Sequence, residues 1–185
     1  MRNKIKCVQD IRILHLSDTH SQHRRITELP DADILIHSGD FTMNGSEQEA
    51  IDFMNWFCDL HYPRKIFVCG NHDAYLYGAK VDRLDKNVHY LCNSGVVIDG
   101  GKFYGVLMFM EDCISDRQAR NYAVISVDTD VLITHCPPYG VLDFDDGINY
   151  GSTELLTRVF LTWSGRISFV STAMVVAGVC RWRDR

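Results

Sequence analysis

Five apolar runs of strand length punctuate the chain: "IRILHLS" (11–17), "DILIHSG" (33–39), "KIFVCG" (65–70), "KFYGVLMF" (102–109) and "DVLITH" (130–135). Four of them pass at once into residues that carry chemistry: Asp18-Thr19-His20, Gly39-Asp40, Gly70-Asn71-His72-Asp73 and Thr134-His135. In extended backbone, residues i and i+2 point the same way, so Asp18 and His20 can converge on one object. One such ending reads as turn chemistry. Four in one chain point to a shared site, because open α/β sheets bind ligands at the carboxyl ends of their strands.

Between the second and third runs, "SEQEAIDFMNWFCDL" (46–60) places Ala50, Phe53, Met54 and Phe57 at three- and four-residue steps. That spacing predicts an amphipathic helix, with Ser46 as N-cap and Glu49 completing a capping box. A second helix is predicted at 151–161, where Glu154 precedes a Leu155/Leu156/Val159 stripe. "NVHYLC" and "GVVIDG", with Asn93-Ser94-Gly95 between, read as a β-hairpin. Strands alternating with a helix and then running consecutively suggest an α/β sandwich of mixed parallel and antiparallel sheets. With 185 residues, no repeat and no low-complexity linker, a single domain over 1–185 is expected.

The seven cysteines are scattered, with no CxxC pair, so reduced thiols in a cytoplasm fit better than a disulfide framework or a zinc knuckle. No signal peptide and no membrane-spanning run are visible, so a soluble cytoplasmic protein is expected. A net charge of −5 argues against nucleic acid held by bulk charge, and against a nuclease, while leaving room for a small phosphate substrate such as a nucleotide.

Carboxylate, imidazole and an Asn carbonyl together suit hard or borderline divalent ions, Mn, Fe, Zn or Mg. A carboxylate can bridge two cations, and two ions about 3.5–4 Å apart form the clamp used in phosphoryl transfer to water. Gly39 and Gly70, lacking Cβ, would let backbone approach such a centre closely. Pro137 and Pro138 would stiffen the loop after His135. Among the other histidines, His15 and His37 lie inside apolar runs and read as core, whereas His23, His61 and His89 read as surface. Met108 and Met110 read as core filler.

In this order and spacing, "DTH", "GD", "GNHD" and "TH" resemble the metallophosphoesterase (calcineurin-like phosphoesterase) superfamily, over roughly residues 11–158. "ILHLSDTHSQHR", "DILIHSGDFT" and "DVLITHCPPYGVLD" are most similar to its small single-domain branch, which includes predicted phosphohydrolases and cyclic-nucleotide phosphodiesterase-like members. The resemblance implies a four-layer α/β/β/α sandwich and a centre of two divalent metal ions that hydrolyses small phosphoesters. It implies that Asp18 and His20 bind one ion, that Asn71 and His135 bind the other, and that Asp40 bridges them. His72 would stand outside the metal shell and protonate the leaving group, with Asp73 orienting it.

The family pattern closes with Gly-His-x-His, one histidine for each metal, and this chain has no histidine after His135. Instead, "FLTWSGRISFVSTAMVVAGVCRWRDR" (160–185) turns rich in Ser, Val and Arg. A divergent last strand accounts for this. So does a reading frame lost near residue 160, which would leave the sandwich incomplete at its C-terminus and both metals short of a ligand. The first leaves a phosphoesterase. The second leaves an impaired enzyme or an inactive phosphate-binding protein.

Overall fold

The computed structural model describes residues 10–108, 117–162, 167–170 and 178–183. Its first strands are β1 (Asp10–Leu16), β2 (Ile34–His37) and β3 (Arg64–Phe67), followed by β4 (Val88–Tyr90), β5 (Ser94–Ile98) and β6 (Gly101–Val106). Then come β7 (Val131–Thr134), β8 (Phe144–Asp145), β9 (Ile148–Asn149), β10 (Ile167–Val170) and β11 (Gly178–Arg183). The helices are α1 (Glu47–Asp59), α2 (Arg117–Ala123) and α3 (Thr153–Thr162). One sheet has the order β11-β1-β2-β3-β4 and a second the order β10-β7-β6-β5, while β8 and β9 form a small hairpin.

The layering follows from which residues share a core. Phe53 and Phe57 of α1 pack with Ile13, Ile36 and Phe67 of the first sheet, and the same core takes in Phe103, Val131 and Ile133 of the second. Leu132, on the opposite face of β7, joins Val106, Tyr122, Ile125 and Leu155 under α2 and α3. Alternation along a strand therefore puts α1 outside one sheet and α2 with α3 outside the other, with the two sheets face to face. The expected α/β/β/α sandwich is what forms.

Helix α1 begins as its sequence predicts. The Glu49 N–H donates to Ser46 Oγ at 3.3 Å, and the Ser46 N–H donates back to the Glu49 carboxylate at 3.1 Å. At its other end the buried Lys65 ammonium donates to the carbonyls of Cys58 and Leu60, helping to satisfy the acceptors that a helix terminus leaves open.

Two expectations change. The 88–98 segment is not a hairpin, because β4 pairs parallel with β3 in the first sheet whereas β5 belongs to the second. The hairpin is β5–β6, turned at Asp99-Gly100 with φ of 48° and 87°, a pair of left-handed residues that a two-residue hairpin turn demands. The loss of closing strands, one of the two readings of the tail, is also not seen in the backbone: β10 lies parallel on β7, and β11 lies antiparallel along β1. Phe109, Met110 and 171–177 of the apolar tail stretch lie outside the described residues.

Candidate metal centre

The centre is built from four loops, each leaving the carboxyl end of a strand. Three follow β1, β2 and β3 of the first sheet, and the fourth follows β7 of the second. Past the ends of β1 and β2 the chain stays zipped: the amides of Asp18, His20 and Ser21 donate to the carbonyls of Gly39, Asp40 and Phe41 at 3.0, 3.0 and 2.9 Å. Asp18, His20, Ser21 and Asp40 all hold positive φ, between 41° and 59°. Such backbone costs of order 1–3 kcal/mol per residue and clusters where a site requires it. The loops also touch. A Cβ on Gly39 would stand 2.6 Å from the Gly70 amide nitrogen and 2.8 Å from His135 Nδ1, and one on Gly70 would stand 2.7 Å from the Asp40 nitrogen.

The donor atoms converge on Asp40. Asp18, Asp40 and His135 form one group, and His20, Asp40 and His72 a second, each with its ligand atoms within 4.8 Å of one another. His135 Nε2 lies 3.4 Å from Asp40 Oδ1 and 3.0 Å from Asn71 Oδ1. His72 Nε2 lies 4.0 Å from Asp40 Oδ2, and the His20 and His72 rings meet edge to face at 4.8 Å. Asp40 and His135 are almost fully buried, while the His72 side chain is 41% exposed.

Ring orientation tells what the centre wants. His135 Nδ1 faces the Ser38 carbonyl at 3.0 Å, His72 Nδ1 the Met43 carbonyl at 2.8 Å, and His20 Nδ1 the Thr42 carbonyl at 3.3 Å. A carbonyl oxygen only accepts, so each Nδ1 carries a proton and the other nitrogen of each ring is the one left for the centre. Such a nitrogen beside a carboxylate calls for positive charge between them, a metal ion or a second proton on the ring. Backbone carbonyls fixing the far nitrogen are how metal-ligating histidines are commonly held. The residues present therefore fit divalent ions.

Electrostatics point the same way. Burial pushes His135 down, but the hydrogen bond and charge of Asp40, aided by Asp18 and Asp73, outweigh it and hold the imidazole above its usual value. Burial likewise pushes Asp40 up, and His135 with the His72 amide more than offset it, leaving the carboxyl below its usual value. The pair favours its charged forms, with a positive object against Asp40.

The grouping differs from the expected division of ligands. Asp18 stands with His135 rather than His20, and His72 Nε2 lies among the His20 and Asp40 donors rather than apart from them. Asp40 is common to both groups, and Asn71 joins His135. Asp73 is not the group that orients His72, since the Met43 carbonyl is. Its buried carboxylate accepts from the amides of Asp40, Thr42 and Gly70 at 2.8–2.9 Å and from the Thr42 hydroxyl, tying the β2 and β3 loops together. Burial, ahead of the amides that oppose it, pushes that carboxyl up to about 7.

His15 and His37 are buried as expected, bonded to the hydroxyls of Ser38 and Thr19. His23 is a correction: it is fully buried, its ring against Trp56 and Phe53 and its Nε2 3.0 Å from Asp52. The carbonyls of Ser38, Thr42 and Met43, which aim the three rings, leave no signal in the sequence, because every residue type carries one. No helix among the described residues is long and apolar enough to cross a membrane.

A family model of calcineurin-like phosphoesterases matches residues 11–165, a span from β1 through α3. The chain is 34% identical to UPF0046 protein K07C11.7 of Caenorhabditis elegans, over 80% of this chain and 59% of that one. It is 31% identical to metallophosphoesterase domain-containing protein 1 of Homo sapiens, over 80% of this chain and 56% of that one. A shorter similarity, 31% over 40% of this chain and 26% of the other, links it to UDP-2,3-diacylglucosamine pyrophosphatase LpxG of Chlamydia trachomatis. The chain thus spans less than two thirds of the length of these relatives. Four strand-end loops converging on one buried carboxylate, and a family match that contains all four, make this chain a member of the calcineurin-like phosphoesterase family.

Proposed function

We propose that this chain hydrolyses small phosphoesters, nucleotides among them, at a centre of two divalent ions sharing Asp40. Asp18, His135 and Asn71 would hold one ion, and His20 would hold the other. The observation that carries this reading is the convergence of the His20, His72 and His135 rings on one buried carboxylate while their Nδ1 atoms face backbone carbonyls. When bound, the ions supply positive charge against the phosphoryl oxygens. The protein's own part is positional. The loops hold the ligands in strained backbone, and the amides bound to Asp73 keep Asp40 and Gly70 in register.

His72 sits at the rim, open to solvent, where a leaving group would depart. With its Nδ1–H fixed on Met43, its imidazolium form presents Nε2–H and can give that proton to the departing oxygen. The relative named a pyrophosphatase supports a phosphorus–oxygen bond as the target. A cytoplasmic setting, in which the free thiols of Cys58 and Cys69 stay reduced, fits the same reading.

The test is hydrolysis of an aryl phosphodiester and an aryl phosphomonoester by the chain supplied in turn with Mn²⁺, Fe²⁺, Zn²⁺ and Mg²⁺. Turnover that a chelator abolishes, and that Asp40→Asn lacks, is expected. Metal uptake with no turnover above that variant would instead leave a non-catalytic phosphate-binding protein.

A further inference from the structure

We infer that Glu49, beyond capping α1, is a positioning residue that holds the His20 imidazole in its metal-binding orientation and the His72 imidazole in its proton-donating one. The inference rests on reading the centre as a metal site. Both rings depend on consecutive carbonyls, of Thr42 for His20 and of Met43 for His72. Thr42 is buried and tied to Asp73, but packing does little to fix the stretch after it, since Met43 is 51% exposed and Asn44 lies in solvent. Hydrogen bonds to Glu49 do.

The Met43 amide donates to Glu49 Oε1 at 3.3 Å, and the Asn44 amide donates to Oε2 at 3.1 Å. The Asn44 side-chain amide adds a bond at 3.2 Å. On the other side, the Ser21 hydroxyl donates to the same Oε1 at 2.9 Å, and Ser21 directly follows His20. One carboxylate thus fastens the loop that bears His20 to the loop whose carbonyls aim both rings. Gly45 completes the contact, because a Cβ there would stand 2.8 Å from the His72 carbonyl oxygen. A residue needed only for the capping box would bond Ser46 and stop. Five donor groups from four residues (Ser21, Met43, Asn44 and Ser46), apart from the Ser46 hydroxyl, exceed that role.

Ring tautomers of the metal-free, ¹⁵N-labelled protein can be read from long-range proton–nitrogen correlations, and Zn²⁺ affinity from calorimetry. In the unaltered chain His20 and His72 should show Nδ1–H. Glu49→Ala should mix the tautomers of both rings and weaken Zn²⁺ binding by about 10–100-fold, the usual effect of losing an outer support. Glu49→Gln, which keeps an acceptor oxygen for Met43 and Asn44, should recover much of both. Ser46→Ala, which frays the same helix end and removes only one of the bonds to the Glu49 carboxylate, should disturb both far less. The inference is overturned if Glu49→Ala leaves the tautomers as they were, or if Ser46→Ala disturbs them equally. Should the unaltered chain bind no Zn²⁺, the metal reading fails, and the tautomers still decide the role of Glu49.

Discussion

Asp18, His20, Asp40, Asn71 and His135 stand out in the sequence because each closes an apolar run, and the fold brings all five into the two donor groups or onto them. How the donors are shared is not legible there, since spacing along the chain says nothing of which loop leans on which. His72 shows the difference. Its exposed ring and its Met43 anchor suit a proton donor, yet its Nε2 lies within reach of the His20 and Asp40 donors. On a substrate with a poor leaving group, His72→Ala is expected to lower kcat by on the order of 10²–10⁴, with metal content unchanged. Substrates with acidic leaving groups should suffer less. Metal loss measured in that variant would make His72 a ligand instead.

At the level of elements, α1 is readable at both its cap and its stripe, because capping boxes and three-four spacing are local signals. The β5–β6 hairpin is not, because Asn93-Ser94-Gly95 resembles a turn as much as Asp99-Gly100 does, and sheet membership is decided at long range. His23 misleads for a like reason: its neighbours Gln22, Arg24 and Arg25 are polar, and only the docking of this turn on Trp56 buries the ring. Lys65 gives the element scale its own test. Replacing it by Met removes the ammonium from the Cys58 and Leu60 carbonyls at the end of α1, of which Leu60 keeps the Tyr62 amide. Lys65→Met should cost about 1–3 kcal/mol, read as a shift in the urea midpoint with m unchanged. No change would mean water replaces the ammonium at no loss.

Across the whole molecule, buried histidines link stability to pH. Burial holds His37 well below its usual value and lowers His15 to about 4. Both stay neutral in the fold and titrate near 6.5 once unfolded. Their contribution is therefore complete above about pH 6.5 and falls away as pH drops toward 4, by roughly 1.4 kcal/mol per unit for each group. His135, held above its usual value, works in the opposite sense and loses its contribution as pH rises past its folded pKa. Melting temperature of the chelator-treated protein should decline between pH 6.5 and 4, and His15→Gln should flatten the slope. An unchanged slope in that variant would remove His15 from the account. The tail belongs to this scale as well. Strands β10 and β11 border both sheets, yet no histidine there supplies the donors that the family pattern places at its end.

The claim on which the rest depends is that one carboxylate serves two ions. Metal bound per chain after equilibrium dialysis against Mn²⁺ or Zn²⁺ tests it directly, comparing the unaltered protein with Asp40→Asn and Asp18→Asn. The account predicts uptake of about two ions per chain, as in two-metal phosphoryl-transfer sites. It predicts that Asp40→Asn loses both together, while Asp18→Asn loses mainly the one grouped with His135. Loss of a single ion in each variant, or an unaltered chain that takes up none, would contradict it.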